Sequence, residues 1–136
     1  DCQWNGLDEL TIPPITSLYK LYCGGNYLKS LDISANTGLR TFGCSGNQIK
    51  SLDVSNNTAL NDLNCSDNKI ETLDISKLTN LKNLYCDDNP LSTLYIFKGQ
   101  LDGMRKKEIP DGVKIIDGST TGGNDDTTTG GKITLE

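Results

Sequence analysis

Five cysteines are the residues with the most obvious chemical potential, and they are evenly spaced. They fall 21 residues apart, at Cys2, Cys23, Cys44, Cys65 and Cys86. The sequence contains no histidine, which excludes Ser-His-Asp and Cys-His catalysis and any histidine-ligated metal site. A metal site needs thiolates that converge from several directions, and the sequence contains no CxxC motif. The even spacing instead predicts thiols in a straight file.

Disulfide bonds between neighbouring cysteines are unfavourable in such a file. A disulfide requires Cβ atoms about 3.8 Å apart, whereas side chains on adjacent parallel strands lie nearer the strand spacing of about 4.8 Å. We expect Cys2 to be an exception, because it lies at a terminus. The rest are predicted to form a ladder of reduced, buried thiols that act as small apolar side chains, at Cys23, Cys44, Cys65 and Cys86.

Carboxylates are the second group that could do chemistry. Three of them fall in the turns after the predicted strands, at Asp67, Asp87 and Asp88. Calcium could bind there through oxygen ligands, but the spacing matches no EF-hand loop. We predict that the protein binds no metal and no cofactor, and these three aspartates are the alternative, a metal site. A separate file is expected to accept hydrogen bonds from nearby serine, threonine or backbone donors, at Asp32, Asp53 and Asp74.

A repeat of 21 residues must position all of these side chains. One unit reads Leu-x-x-Leu-x-Cys-x-x-Asn-x-Leu-x-x-Leu-Asp-Ile-Ser-x-Asn-Thr-x, and its columns stay in register without an insertion. Complete units begin at Leu18, Leu39, Leu60 and Leu81, and residues 1–17 match the back part of an earlier unit. The chain therefore begins inside a repeat, and the period predicts a solenoid.

Apolar residues alternate with outward ones in each half of the unit, as in a short strand with one buried face. Each coil should contribute a strand around residues 20–23 and a second, weaker strand or extended segment around residues 30–33. Parallel coils then stack into a rod about 24 Å long. Inward amides at the first turn should satisfy backbone groups and could bond one another along the rod, at Asn26, Asn47, Asn68 and Asn89.

The Leu-x-x-Leu-x-[Leu/Cys]-x-x-Asn core resembles the leucine-rich repeat. The 21-residue length and the second Leu-x-x-Leu-Asp block are similar to the nested, IRREKO-type class of bacterial proteins. The resemblance covers residues 1–98 and implies a mainly β solenoid of about five coils with parallel strands. Leucine-rich repeats serve many partners, so for function the resemblance implies only a binding module.

The outward positions of the first strand are where a binding site is expected. Tyrosine and arginine are enriched at protein interfaces, and tyrosine and amides also suit carbohydrate. We take six residues as candidate ligand contacts: Tyr19, Tyr22, Arg40, Asn61, Lys82 and Tyr85. A protein ligand is the first expectation, with a glycan-binding module or a structural spacer that presents another domain as alternatives.

Other classes of function are disfavoured. The carboxylates form files rather than the opposed pair of a glycosidase, so no enzyme is expected. A net charge of -5 argues against nucleic acid. No apolar run approaches the roughly 20 residues that cross a bilayer. We expect a monomer.

Three segments are predicted along the chain: a solenoid over 1–98, a C-terminal cap over 99–117 with a last strand at 113–116, and a flexible tail over 118–136. The tail is rich in glycine, threonine and aspartate, as in linkers. It is similar to linkers of secreted, multidomain bacterial surface proteins, and the repeat resembles surface and secreted proteins of Bacteroidetes. An extracellular or cell-surface location, with lipid anchoring as one mode, is therefore expected.

Overall fold

The computed structural model describes residues 1–118, which form a solenoid of parallel strands. Its only helical element within those residues is one turn of 3-10 helix, Gln100–Gly103. The strands are short, as the 21-residue coils require: β1 (Lys20–Tyr22), β2 (Thr41–Gly43), β3 (Asp62–Asn64), β4 (Thr72–Asp74), β5 (Asn83–Tyr85), β6 (Thr93–Ile96), β7 (Lys106–Glu108) and β8 (Lys114–Asp117).

The first sheet runs along the rod and contains five parallel strands in the order β1-β2-β3-β5-β7. Through the repeat, paired residues are one unit apart, so that Leu21 pairs with Phe42 and Phe42 with Leu63. Strands β1, β3 and β5 bury only their central leucine and turn both flanking residues outward. The predicted strand at 20–23 and its equivalents is confirmed.

Only the later coils contribute a strand to the second sheet. It contains only β4, β6 and β8, so the segments 30–33 and 51–54 are not strands, although Leu31, Ile33, Leu52 and Val54 are buried as expected. These two coils are instead held at the second turn by side-chain amides. The Asn57 amide donates to the Ile33 carbonyl at 2.9 Å and to the Asn36 carbonyl at 3.1 Å.

One apolar core follows the axis of the rod. In the coil that begins at Leu39, six apolar side chains are buried, in line with the repeat: Leu39, Phe42, Cys44, Ile49, Leu52 and Val54. Burying each large aliphatic side chain stabilises the fold by roughly 1.5–3 kcal/mol. Because each coil packs chiefly on its neighbours, the stability of any one coil depends on the coils beside it.

Asparagines at the first turn tie each coil to the one before it. The Asn47 amide nitrogen donates to the carbonyls of Cys23 at 3.1 Å and Cys44 at 3.0 Å, and its oxygen accepts from the Leu28 backbone N–H at 3.0 Å. The same bonds recur at Asn26, Asn68 and Asn89. The amides therefore satisfy backbone groups, as expected. The suggested bonds between the amides themselves are not what holds the file, since each amide bonds the backbone of two coils.

The second turn changes along the rod. Asn36 and Asn57 are buried there, and the side-chain oxygen of each has no hydrogen-bond partner. One coil later Leu78 fills the position with a fully buried apolar side chain. In the following coil Gln100 takes over the asparagine role, because its amide donates to the Ile75 carbonyl at 2.8 Å and to the Leu78 carbonyl at 3.1 Å.

Residues 99–118 continue both sheets beyond the last repeat. Met104 is buried, in the place that leucine holds at the start of each earlier unit. Strand β8 pairs with β6, which confirms the predicted last strand to within one residue. Strand β7 was not predicted, since its charged residues 106–108 carry no apolar alternation. Apart from Gly118, the predicted tail lies outside the described residues.

Candidate functional site on the outward face of the five-stranded sheet

Two columns of side chains form the middle of the outward face. They come from the residues that flank the inward position of each strand, and the parallel register stacks them one coil apart. The first column is Lys20, Thr41, Asp62, Asn83 and Lys106, and the second is Tyr22, Gly43, Asn64, Tyr85 and Glu108. Chain register therefore places tyrosines at two points of one line, three coils apart.

An open groove of about 590 Å³ lies on this face. Tyr22 and Tyr85 both line it, with Gly43 and Asn64 between them. Three strand intervals separate the two tyrosines, or roughly 14 Å. The Tyr22 ring leans over Gly43, where a Cβ would lie only 3.0 Å from its Cδ1 atom. A larger residue at position 43 would therefore push the ring away and fill part of the groove.

Polar side chains on the floor of the groove are held in fixed orientations. The Asn64 side-chain oxygen accepts from the Ser66 backbone N–H at 3.1 Å and from the Ser66 hydroxyl at 2.7 Å. This directs the Asn64 amide nitrogen outward as a donor. One column away, Asn83 donates to the Asp62 carboxylate. The floor thus offers a donor and a carboxylate acceptor on the same strand.

Lys106 covers the Tyr85 end of the groove. Its ammonium lies 5.0 Å from the centre of the Tyr85 ring and 3.3 Å from the Glu108 carboxylate. The hydrogen bond to Glu108, followed by the electrostatic influence of Tyr85, raises the pKa of Lys106. A cation therefore stays over this ring, within the distance at which cation–π attraction acts.

Four of the six predicted contact residues lie beside the groove rather than in it. Only Tyr22 and Tyr85 line it. The others form an outer column at the start of the strands, which Arg105 extends: Tyr19, Arg40, Asn61 and Lys82. Backbone N–H groups of this column donate to the carbonyl of the preceding member along its whole length, at 2.7–2.9 Å. The predicted residues therefore occupy two lines of one surface, with the column that begins at Lys20 between them.

Sequence reasoning left several groove residues out of the candidate site. Among them are Thr41, Gly43, Asp62 and Asn64, and also Ser45 in the following turn. The register was enough to place the first four outward, but they are not interface-enriched types. Gly43 matters because its missing side chain leaves room for the Tyr22 ring, and the sequence does not show that the ring lies there.

The three acidic residues Asp67, Asp87 and Asp88 lie in the turns that follow β3 and β5. Within residues 1–118 no group of three or more Cys, Asp or Glu side chains is placed to hold a metal ion. Asp67 and Asp88 occupy a column with left-handed backbone, with φ of 50° and 51°, which Gly25 and Gly46 share at 65°. Aspartate is one of the few non-glycine residues that tolerate this conformation. The backbone conformation therefore accounts for the presence of aspartate at these two positions. Burial raises the pKa of Asp87, and one of its oxygens is buried without a partner.

The cysteines are free thiols in a buried file. Cys23, Cys44, Cys65 and Cys86 are at most 1% exposed, and Cys2 is partly exposed. Burial raises the pKa of Cys23 and of Cys86 to about 12, and it raises those of Cys44 and Cys65 as well. Because the thiolate is the reactive form, these thiols are inert side chains of the core. The predicted cysteine ladder is confirmed.

Within the described residues no helix is long and apolar enough to cross a membrane. No protein-family model matches the sequence. No curated protein matches it either.

Solved structures of bacterial leucine-rich-repeat proteins are similar to this chain. A leucine-rich-repeat protein from Leptospira interrogans is 27% identical with a TM-score of 0.69, over 85% of this chain and 31% of that one. The functional domain of InlJ from Listeria monocytogenes, which includes a cysteine ladder, is 26% identical with a TM-score of 0.64, over 82% of this chain and 32% of that one. An internalin, InlF from Listeria monocytogenes, is 23% identical with a TM-score of 0.52, over 70% and 36%.

The chain spans about a third of the length of each of these proteins. The InlF likeness concerns the fold alone. The finer resemblance to an IRREKO-type class from Bacteroidetes is not established by these matches, which come from other bacteria. What they share with this chain is the leucine-rich-repeat architecture. This chain is a leucine-rich-repeat solenoid of about five parallel coils, with a file of cysteines in its core.

Proposed function

We propose that this protein is a non-catalytic protein-binding module whose ligand docks on the outward face of the five-stranded sheet. The observation that carries the proposal is the groove bounded by Tyr22 and Tyr85 over Gly43 and Asn64. Tyrosines beside a small, open floor offer a partner apolar area together with hydroxyl groups. Rigid strands hold both rings, so little conformational freedom is lost on binding.

Catalysis has little support on this face. The sequence has no histidine. The core thiols are buried and have raised pKa values, so they are poor nucleophiles. The groove carboxylate, Asp62, is already bonded by Asn83. The face is better suited to recognition than to bond cleavage.

Placement at a bacterial surface or in the secreted fraction is part of the proposal. It is supported by the similarity to bacterial leucine-rich-repeat proteins, and by the linker-like composition of residues 118–131. Protease shaving of intact cells that express the natural gene product tests it. Release of fragments of residues 1–118 from intact cells is expected, whereas complete protection until lysis would refute a surface location.

A crosslinking experiment tests the binding site. A photo-crosslinking residue is placed at Thr41, in the groove, and in a matched variant at Thr93, an equally half-buried threonine on β6 of the other sheet. Partner capture from Thr41 but not from Thr93 is expected, and Tyr22→Ala with Tyr85→Ala should abolish it. Equal capture from both positions, or capture that ignores both tyrosines, would remove the groove from consideration.

A glycan is the second candidate ligand. It is favoured by the floor of the groove, where the outward amide of Asn64 and the carboxylate of Asp62 lie on one strand beside tyrosine rings. Paired sugar hydroxyls can donate to and accept from such groups. A glycan array with Asp62→Ala and Asn64→Ala separates the two candidates: specific sugar binding lost in both variants would favour the glycan, and an inert array would leave the protein ligand.

A further inference from the structure

The outer column carries more net charge than either of the two columns beside it. Its cations are Arg40, Lys82 and Arg105, all exposed. None of their side chains makes a hydrogen bond or an ion pair within residues 1–118. At its N-terminal end the Lys20 ammonium leans toward the Tyr19 ring, at 5.8 Å. A protein with net charge -5 thus presents one basic line on the face proposed to bind.

This basic line acts independently of the acidic turns. The acidic residues Asp67, Asp87 and Asp88 follow the strands, whereas the outer column precedes them. A three-residue strand alone separates the two edges by about 10 Å. The screening length at physiological ionic strength is about 8 Å, so the opposite charges do not cancel at short range. The nearest carboxylate inside the face is Asp62, and it is already bonded by Asn83.

We propose that the outer column, Tyr19 to Arg105, docks an acidic segment of the protein partner, laid parallel to the rod axis. The proposal rests on the binding function proposed above and specifies the chemistry of the partner. The column runs across four coil intervals, or roughly 19 Å, and its backbone ladder keeps the cations in line. An acidic stretch of polypeptide meets Arg40, Lys82 and Arg105 in turn and leaves Tyr22 and Tyr85 free for apolar contacts.

A long polyanion fits the same face less well. A nucleic acid strand carries a charge at every phosphate and gains affinity by releasing many counterions. On the outer column it would meet three cations, with the acidic turns at the opposite edge. A peptide can place acidic residues against the outer column alone. The protein partner is therefore the occupant that the charges favour.

The test uses a short synthetic peptide of alternating glutamate and serine, with a glutamine version and a thymidine oligonucleotide as comparison probes. Binding to the whole chain at low salt is followed by backbone NMR shifts. We expect the acidic peptide to shift the amides of residues 40, 82 and 105 and to release as salt is raised. The glutamine peptide should not bind.

Paired substitutions separate this line from general electrostatics. Arg40→Gln with Lys82→Gln should weaken the acidic peptide about fivefold, given the usual strength of exposed ion pairs. The matched control is Lys29→Gln with Lys50→Gln, which removes the same charge from exposed lysines one coil apart, and should leave affinity within a factor of two.

Equal weakening by both pairs, shifts centred elsewhere, or tighter binding of the oligonucleotide at the outer column would overturn the proposal. Failure here is distinguishable from failure of the binding function, because capture through Thr41 depends on the two groove tyrosines and not on these charges.

Discussion

The two halves of each coil differ in how strictly they repeat, and the candidate site lies on the stricter half. The first half contributes a strand to one unbroken sheet and ends in an asparagine whose amide reaches two coils. The second half is a strand only from β4 onward, and its turn is occupied successively by Asn57, Leu78 and Gln100. Rigid positioning is maintained where the groove is built and relaxed where it is not.

Hydrogen-bond partners explain the difference. At the first turn the Leu28 backbone N–H donates to the Asn47 oxygen, and within the described residues it has no second acceptor. At the second turn the Asn57 amide only adds to carbonyls that already accept other bonds, since Ile33 accepts from Asn36 and Asn36 from Leu39. A position that satisfies an otherwise orphaned N–H is harder to replace.

The largest expected effect comes from replacing an asparagine of the first turn. Asn47→Ala should lower the free energy of unfolding by about 2–4 kcal/mol, because a buried N–H loses its partner and three carbonyls each lose a bond. The matched change at the second turn, Asn57→Ala, should lower it by about 1–2 kcal/mol. Urea denaturation of both variants measures this, and equal losses would erase the distinction between the two turns.

Gln100→Leu is expected to have the next largest effect on stability. Its amide donates to two carbonyls, and its oxygen accepts from the Phe97 backbone N–H at 3.1 Å. Losing that acceptor should lower the free energy of unfolding by about 1–3 kcal/mol. If thermal denaturation finds the variant as stable as the parent, the glutamine is not a substitute for the missing asparagine.

Asn57→Leu should be close to neutral, within about 1 kcal/mol. It gives up two hydrogen bonds but removes a buried oxygen that has no partner. Leu78 already fits the same position one coil later. Asn47→Leu is the control and should unfold the protein far more readily; a large loss at position 57 would mean that the second turn is as demanding as the first.

The smallest effects concern two carboxylates whose pKa values shift in opposite directions. Hydrogen bonds from Ser55 lower the pKa of Asp53, so its stabilisation is present at neutral pH and is lost as pH falls through that lowered value. Burial raises the pKa of Asp87, so its charged form is a penalty at neutral pH that disappears as pH falls below the raised value.

Two asparagine substitutions test the sign of each shift. Asp53→Asn should reduce stability at neutral pH, whereas Asp87→Asn should increase it, and both differences should shrink in acid. Melting temperatures measured across the acidic range decide this. The same sign for both variants at neutral pH would contradict the assignment of the two environments.

Sequence periodicity predicted what repeats and missed what departs from the repeat. The file of cysteines, the inward leucines and the strands of the first sheet follow from a 21-residue register, because one coil's geometry fixes the next. Gln100 could not be predicted, since it performs its role one position away from the repeat column. Strand β7 was missed because it pairs with β5 through backbone hydrogen bonds, which leave no pattern of apolar residues in the sequence.

The candidate site was predicted only in outline, for a related reason. Periodicity placed Tyr22 and Tyr85 outward and on one line. It could not reveal that the Tyr22 ring leans over Gly43, or that Ser66 fixes the Asn64 amide. Those features depend on contacts between neighbouring side chains, which differ from coil to coil.

The affinity of a captured partner for three single tyrosine variants tests the central claim most directly. Tyr22→Ala and Tyr85→Ala remove the two rings of the groove, and Tyr95→Ala removes an exposed ring from β6 of the other sheet. Each groove variant should weaken binding by about fivefold or more, as expected for a tyrosine at an interface, while Tyr95→Ala leaves it within a factor of two. Equal weakening by all three, or a loss confined to Tyr95→Ala, would contradict the account.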